Sequence, residues 1–344
     1  MEPIPLARGQ LILTSPDDHT LLAREPDRIA AALAANPDEL DRMRMTCPEV
    51  PVGLTLTCPP VPHFDAPPMT QPYIERCRRV FRDGIAAEAD FYYLTGAADF
   101  RALRAAVLAM TDLTGANLVA ELDVDADARL PDGVDVLAAA AVLQRIGVST
   151  IILRAGEPAD LEDALTALAP YARVSLGVRC PAVWLLRDVR LPNVELFVPV
   201  PGERARRLAD LARDYAARAA SCTIERLVDD VALAPDGRDC HIIDWTTDIS
   251  DEVVCDHMLG ERLLELEDQE PAAFKLLLQE EDDVLILEEN LYMITRPVCI
   301  CAESPELLEK ALRVYAGLAL YDGTWEQEPR ILKYFTEKYG LICM

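Results

Sequence analysis

Over roughly the first 240 residues, short continuous apolar runs alternate with amphipathic stretches. Seven runs read as strands: Gln10–Thr14, Val52–Thr57, Asp90–Thr95, Asn117–Val124, Thr150–Arg154, Val174–Arg179 and Glu195–Val200. An eighth falls at Ala219–Cys222 or His241–Asp244. Runs this short with no polar face suit strands buried on both sides of a parallel sheet. Between them, Leu103, Val107 and Met110 form one apolar stripe at helical spacing. Gly147 follows Ile146, where a left-handed cap ends a helix easily. Pro158 opens the next helix, which turns Leu161, Leu165 and Leu168 to one side before Pro170 stops it. Repeated β–α units with about eight strands predict an α/β fold, a (β/α)8 barrel of the TIM type, over residues 1–245. A doubly wound open sheet is the alternative. No Gly-rich phosphate loop follows the first strand, which counts against it.

The pattern continues through residues 249–344 with strands expected at Val253–Leu259, Asp283–Leu287, Val298–Cys301, Leu318–Tyr321 and Leu341–Cys343. Ser304 and Pro305 are N-cap and first residue of a helix whose Leu308, Leu312 and Tyr315 share a face and which Gly317 ends. This stretch is too short for a second barrel and predicts a smaller, half-barrel-like α/β domain. Every lysine (Lys275, Lys310, Lys333, Lys338) lies within it, a compositional shift that also suggests two modules. Half a barrel leaves strand edges open. The tail is therefore expected to pack on the barrel or to pair with a second copy, giving a homo-oligomer through the C-terminal domain.

Charge and cysteine usage narrow the function. The chain has 59 acidic and 33 basic residues, a net charge of −26, so nucleic acid and anionic membranes are poor partners. With 51% hydrophobic residues it can bury a large core. The start, Met1-Glu2-Pro3-Ile4-Pro5, lacks the pattern of an export signal, and the most apolar run, Val136 to Leu143, is too short to span a bilayer. Ten scattered cysteines then read as reduced thiols of a cytoplasmic protein, without disulfides.

Several segments resemble, in order, the homocysteine S-methyltransferase barrel of cobalamin-dependent methionine synthases. Leu54-Thr55-Leu56-Thr57 is similar to that family's Glu-Thr-Asn-Thr segment, and Asp90 to Thr95 to its strand ending in Glu-Thr. Asp132-Gly133-Val134-Asp135 with Arg145-Ile146-Gly147-Val148 resembles its next helix and turn, and Val178-Arg179-Cys180-Pro181-Ala182 a strand reading Val-Lys-Pro-Asn-Ala. Gly260-Glu261-Arg262, Pro297 to Ala302, Glu306 to Leu312 and Tyr339-Gly340 resemble parts of the pterin-binding domain that follows. The resemblance implies a TIM barrel, thiol methyl transfer to homocysteine, a zinc ion on three cysteines at strand ends, and a corrinoid protein as partner.

The residues that carry this chemistry depart from the pattern. Zinc lowers the pKa of the substrate thiol so that a thiolate attacks at neutral pH. The first ligand strand, Gly-x-Asn-Cys in the family, reads Ile151-Ile152-Leu153-Arg154 here, with a guanidinium in place of the thiolate. The Gly-Gly-Cys-Cys pair aligns with Ala219-Ala220-Ser221-Cys222, leaving Cys222 as a zinc candidate. An acidic residue becomes Thr95, an Asp-Gly-Gly becomes Thr14-Ser15-Pro16, and in the pterin-like part an Asp becomes Cys301 and an Asn-Ser pair Tyr321-Asp322. The pocket candidates are accordingly Thr14, Thr57, Thr95, Arg154, Arg179 and Cys180. No cofactor is expected, with zinc the alternative. Three functions compete: an altered thiol methyltransferase, a non-catalytic interaction or regulatory barrel, and a binder of a small anion through Arg154 and Arg179.

Other chemistry-bearing groups have plainer readings. Cys240, His241, Cys255 and His257 supply four zinc-type donors, but adjacent Cys240 and His241 point oppositely on a strand. Cys299 and Cys301 share a strand face and read as sheet packing. Glu280 to Asp283 reads as a solvated loop before a strand. Glu121, Asp123, Asp125 and Asp127 alternate but lack the glycine and terminal Glu of a calcium loop. His63 sits in a Pro-rich loop, and Arg76, Arg78 and Arg79 form a helix face that pairs with acids.

Overall fold

The computed structural model describes residues 10–15, 21, 24–61, 69–186, 189–218, 223–227, 232–244 and 246–344. Eight parallel strands close into a barrel in sequence order: β1 (Gln10–Leu13), β2 (Ile29–Ala34), β3 (Val52–Thr57), β4 (Phe91–Thr95), β5 (Asn117–Val124), β6 (Val148–Ala155), β7 (Ser175–Arg179) and β8 (Val194–Val198). β8 returns to β1 through the pairs Gln10–Leu196 and Leu11–Phe197. Helices α1 (Pro37–Thr46), α2 (Thr70–Ile85), α3 (Phe100–Leu113), α4 (Val136–Arg145), α5 (Pro158–Leu168) and α6 (Ala205–Arg218) follow strands β2 to β6 and β8. Ile12, Leu33, Phe91, Tyr93, Val119, Ile152, Leu196 and Val198 fill the interior, while the alternate strand residues pack outward under the helices. Gly53 of β3 faces inward, where a Cβ would lie 2.3 Å from the Phe91 ring.

The eighth strand corrects the expectation from sequence. It is Ile29-Ala-Ala-Ala-Leu-Ala34, an Ala-rich run in which Ile29 is the one β-branched residue, yet buried at all six positions. Ala219–Cys222 lies outside the described residues. Cys240–Ile243 is a strand, β10, but it pairs antiparallel with β9 (Ala232–Pro235) in a separate hairpin. The barrel is therefore complete by Val198.

A smaller α/β region follows. Five parallel strands lie in consecutive order: β11 (Ile249–Val254), β12 (Ala273–Leu278), β13 (Val298–Ala302), β14 (Leu320–Tyr321) and β15 (Ile342–Cys343). They alternate with α7 (Leu259–Glu267), α8 (Glu281–Asn290), α9 (Pro305–Val314) and α10 (Pro329–Tyr339). Each strand thus pairs parallel with the next in the chain across a helical crossover. Ser304 caps α9 by accepting from Leu307 N–H. Asp283–Leu287, expected as a strand, is helix α8. Glu280 and Asp283 form a reciprocal capping box at its start, and the acidic run that reads as a loop is a helix N-terminus. The missed strand is β12. Among the described residues, no helix is long and apolar enough to cross a membrane.

The two parts dock through helix ends. The buried carboxylate of Glu288 on α8 accepts from the backbone N–H groups of Met69 and Thr70 at 3.2 and 2.8 Å, where α2 begins. Arg104 of α3 does the converse. It donates from Nη2 to Leu312 O at 2.7 Å and from Nη1 to Arg313 O at 2.8 Å, at the carboxyl end of α9. Each charge meets the helix terminus whose unsatisfied groups and dipole favour it. Asp112 of α3 adds a bridge, pairing with Arg78 of α2 and, at 2.9 Å, with Lys338 of α10.

Burial pushes the Asp112 carboxyl up, but Lys338 and Arg78 outweigh it and hold the group below its ordinary 3.8. A carboxyl depressed by folding contributes stability above its unfolded pKa and loses it as pH falls through the folded value. Asp112→Asn is therefore expected to lower stability at pH 7, with a difference from wild type that shrinks as pH drops below about 4. Urea unfolding of both proteins across that range checks this; a difference independent of pH contradicts it.

Candidate functional site

Strand alternation decides which side chains reach the barrel mouth. Ile12, Phe91, Val119, Ile152 and Gly177 point inward, so two residues on, at the carboxyl ends, stand Thr14, Tyr93 then Thr95, Glu121 then Asp123, Arg154 and Arg179. Thr57 shares this parity, since it pairs in register with Thr95. Five of the six pocket candidates thus fall on the inner face. Cys180 takes the opposite parity. It is 1% exposed in the outer core, and burial followed by the nearby Glu203 charge pushes its thiol up to about 12.

Two arginine–carboxylate units organise the mouth. The deeper joins β4, β5 and β7. Glu121 accepts from Tyr93 Oη at 2.5 Å and from Thr95 Oγ1 at 3.0 Å. Arg179 Nε lies 2.6 Å from Glu121 Oε2, too oblique for a hydrogen bond, and its Nη2 donates to Tyr93 Oη at 3.1 Å. Its guanidinium also stands 5.5 Å over the Tyr93 ring. Burial and then the Glu121 charge push the Tyr93 phenol well above its ordinary value, so it stays a neutral donor. Burial lowers Arg179, but Tyr93 and Glu121 more than reverse this and keep it charged. The outer unit joins β5 and β6, where Arg154 grips Asp123 with Nε and Nη2 as a two-pronged fork, the second contact at 2.6 Å. This pair is about half exposed.

Beside the fork opens a cleft of about 230 Å³. Its walls include Thr95, Glu121, Asp123, Arg154 and the loops before α3 and α4, with Asp99 and Asp132. Asp99 caps α3 by accepting from Ala102 N–H at 2.7 Å, and Asp132 accepts from Phe100 N–H at 2.6 Å. Four carboxylates against one guanidinium make the cleft acidic. Sequence reasoning missed Tyr93, Glu121 and Asp123 as site residues. Their signal was the alternation of Glu121 and Asp123 along a strand, which sets both carboxylates on one face.

The residues at the mouth do not fit a zinc–thiolate centre. Arg154 holds a fixed positive charge where the first thiolate would stand, and Cys180 faces away. The closing strand ends Val198-Pro199-Val200-Pro201, without a cysteine. Cys222 lies more than twenty residues beyond it and, like His63, outside the described residues. The alternative four-donor set is not assembled. No three of Cys240, His241, Cys255 and His257 come within ligating distance of one another. His241 Nε2 is engaged by Asp236 at 2.8 Å, Cys255 is buried, and His257 is exposed.

Fold and site together define a (β/α)8 barrel with a polar, acid-rich mouth and an appended parallel sheet. No protein-family model matches the chain, and no curated protein matches it. Among solved structures it is similar to an apo homocysteine methyltransferase from Escherichia coli, at 14% identity and a TM-score of 0.44, over 60% of this chain and 95% of that one. A type I 3-dehydroquinate dehydratase from Clostridium difficile gives 10% and 0.43, over 63% and 98%. The carboxyl transferase domain of Rhizobium etli pyruvate carboxylase gives 12% and 0.43, over 64% of this chain and half of that one.

Proposed function

We propose that this protein is a divergent relative of the homocysteine S-methyltransferase barrels in which zinc-dependent methyl transfer has given way to non-covalent binding of a small zwitterion, an α-amino acid, at the barrel mouth. The colinear sequence resemblance supports the ancestry. The observation that carries the binding reading is the Arg154–Asp123 fork beside the acidic cleft. Both mouth arginines already hold carboxylates, so a bare anion would meet neutralised partners and a surplus of negative charge. A ligand carrying both charges fits better. Its carboxylate is offered the half-exposed guanidinium of Arg154, and its ammonium the carboxylates of Asp99, Asp123 and Asp132. On the same reading, residues 249–344 descend from a pterin-binding domain and serve as a docked cover on the barrel flank.

A thermal-shift panel of amino acids, their decarboxylated amines, simple organic acids and phosphate tests this. Amino acids are expected to stabilise the protein, and matched amines and acids to do so far less. Losing a charge-assisted hydrogen bond costs about 1.5–3 kcal/mol, so Arg154→Ala should weaken the best ligand roughly 10- to 100-fold. Stabilisation by phosphate or dicarboxylates alone, unaffected by Arg154→Ala, would remove the proposal.

A further inference from the structure

A second cluster lies far from the barrel mouth in the chain, on the five-stranded sheet. Register places Lys275 of β12 beside Cys299 of β13, and Leu277 beside Cys301, with Cys299 opposite Leu320 of β14. Alternation puts Lys275, Cys299 and Cys301 on one face, and Asp322, two residues past Leu320, joins them. The two sulfurs and an Asp322 oxygen lie within 4.8 Å of one another, the only such triad of potential metal ligands among the described residues. Cys299 and Cys301 are 0% and 1% exposed. Asp322 follows β14 directly and Cys301 is the penultimate residue of β13. Cys299 is the second residue of that strand, so the triad spans the middle of β13 and lies beside the carboxyl end of the short β14.

We infer that Cys299, Cys301 and Asp322 form a binding site for a thiophilic divalent cation of the zinc type. Two thiolates and a carboxylate suit zinc, and three protein ligands leave a fourth position for water or a substrate atom. The surroundings are prepared for this charge. Lys275 Nζ donates to Asp322 Oδ2 at 2.7 Å and to Thr324 Oγ1 at 2.6 Å, while Thr324 N–H and Oγ1 donate to Asp322 Oδ1 and Oδ2. These bonds fix the carboxylate and leave a lone pair on Oδ1 for the metal. A divalent ion with two thiolates and one carboxylate carries one net negative charge. The Lys275 ammonium on the distal oxygen cancels it, so the loaded site is neutral inside a mostly buried face. Binding releases the two thiol protons to solvent and oxidises nothing. The site stands independently of the reading of the barrel mouth.

Titration of the full, reduced chain with cobalt(II) tests the inference. The expected result is thiolate-to-cobalt charge-transfer absorption that saturates at about one equivalent and is bleached by zinc. It should vanish in Cys299→Ser/Cys301→Ser. Asp322→Asn should weaken binding at least about tenfold. Three results would overturn the site: no such absorption in wild type, absorption that survives the double serine variant, or an unchanged affinity in Asp322→Asn. If the double variant fails to fold, Asp322→Asn decides alone. Isolation of the chain with a Cys299–Cys301 disulfide that reductant does not open would also refute it.

Discussion

Replacing Glu121 with alanine is expected to destabilise the protein by about 3–5 kcal/mol, because it leaves the largely buried Arg179 without its counter-charge. The same change strips acceptors from Tyr93 and Thr95, both tied to this carboxylate. The loss should concentrate at the mouth. Hydrogen exchange in β4, β5 and β7 should quicken more than in β1 and β2. Glu121→Leu with Arg179→Met, which removes both charges and keeps the volume, should recover much of the stability. A loss below about 1 kcal/mol for Glu121→Ala would show that the pair does not hold the mouth together.

Arg104→Ala should be comparably costly, about 3–5 kcal/mol, by a different route. Arg104 is 3% exposed and has no carboxylate partner among the described residues; burial pulls its pKa down to about 10, partly offset by Tyr339 and Tyr315. Its Nε has no hydrogen-bond partner among the described residues, so its contribution rests on the bonds to the Leu312 and Arg313 carbonyls. Removing it orphans both carbonyls at the end of α9 and opens a cavity between the two parts. Exchange should rise first in α9, α10 and the five-stranded sheet, with the barrel interior protected. Arg104→Lys, which keeps the charge but not the fork, should fall between. Equal loss of protection throughout would contradict a docking role.

These two residues mark what the sequence revealed and what it hid. Inward parity at strand ends follows from period-two alternation, and Thr14, Thr57, Thr95, Arg154 and Arg179 share it. The partners were not readable. Arg154 reads as an unpaired cation until Asp123, on the neighbouring strand, is seen to share its guanidinium, and strand adjacency is a property of the closed barrel. The strand Ile29–Ala34 was missed because an alanine run carries no strand propensity of its own; burial on both faces makes it one. Asp283–Leu287 was misread because four acids before an apolar run resemble a loop and a strand, whereas Glu280 and Asp283 are spaced as a capping box. Arg104 sits amid an alanine-rich helix, and nothing nearby in sequence announces the α9 carbonyls more than two hundred residues on.

On the proposed reading, the barrel mouth recognises an amino acid through the Arg154–Asp123 fork rather than through a metal-bound thiolate. The deciding experiment is calorimetric titration of the full chain with homocysteine and methionine, with and without a strong chelator. The expected result is saturable binding that the chelator leaves unchanged and Arg154→Ala weakens. Binding of homocysteine alone, present only when zinc is supplied and retained in Cys299→Ser/Cys301→Ser, would contradict it.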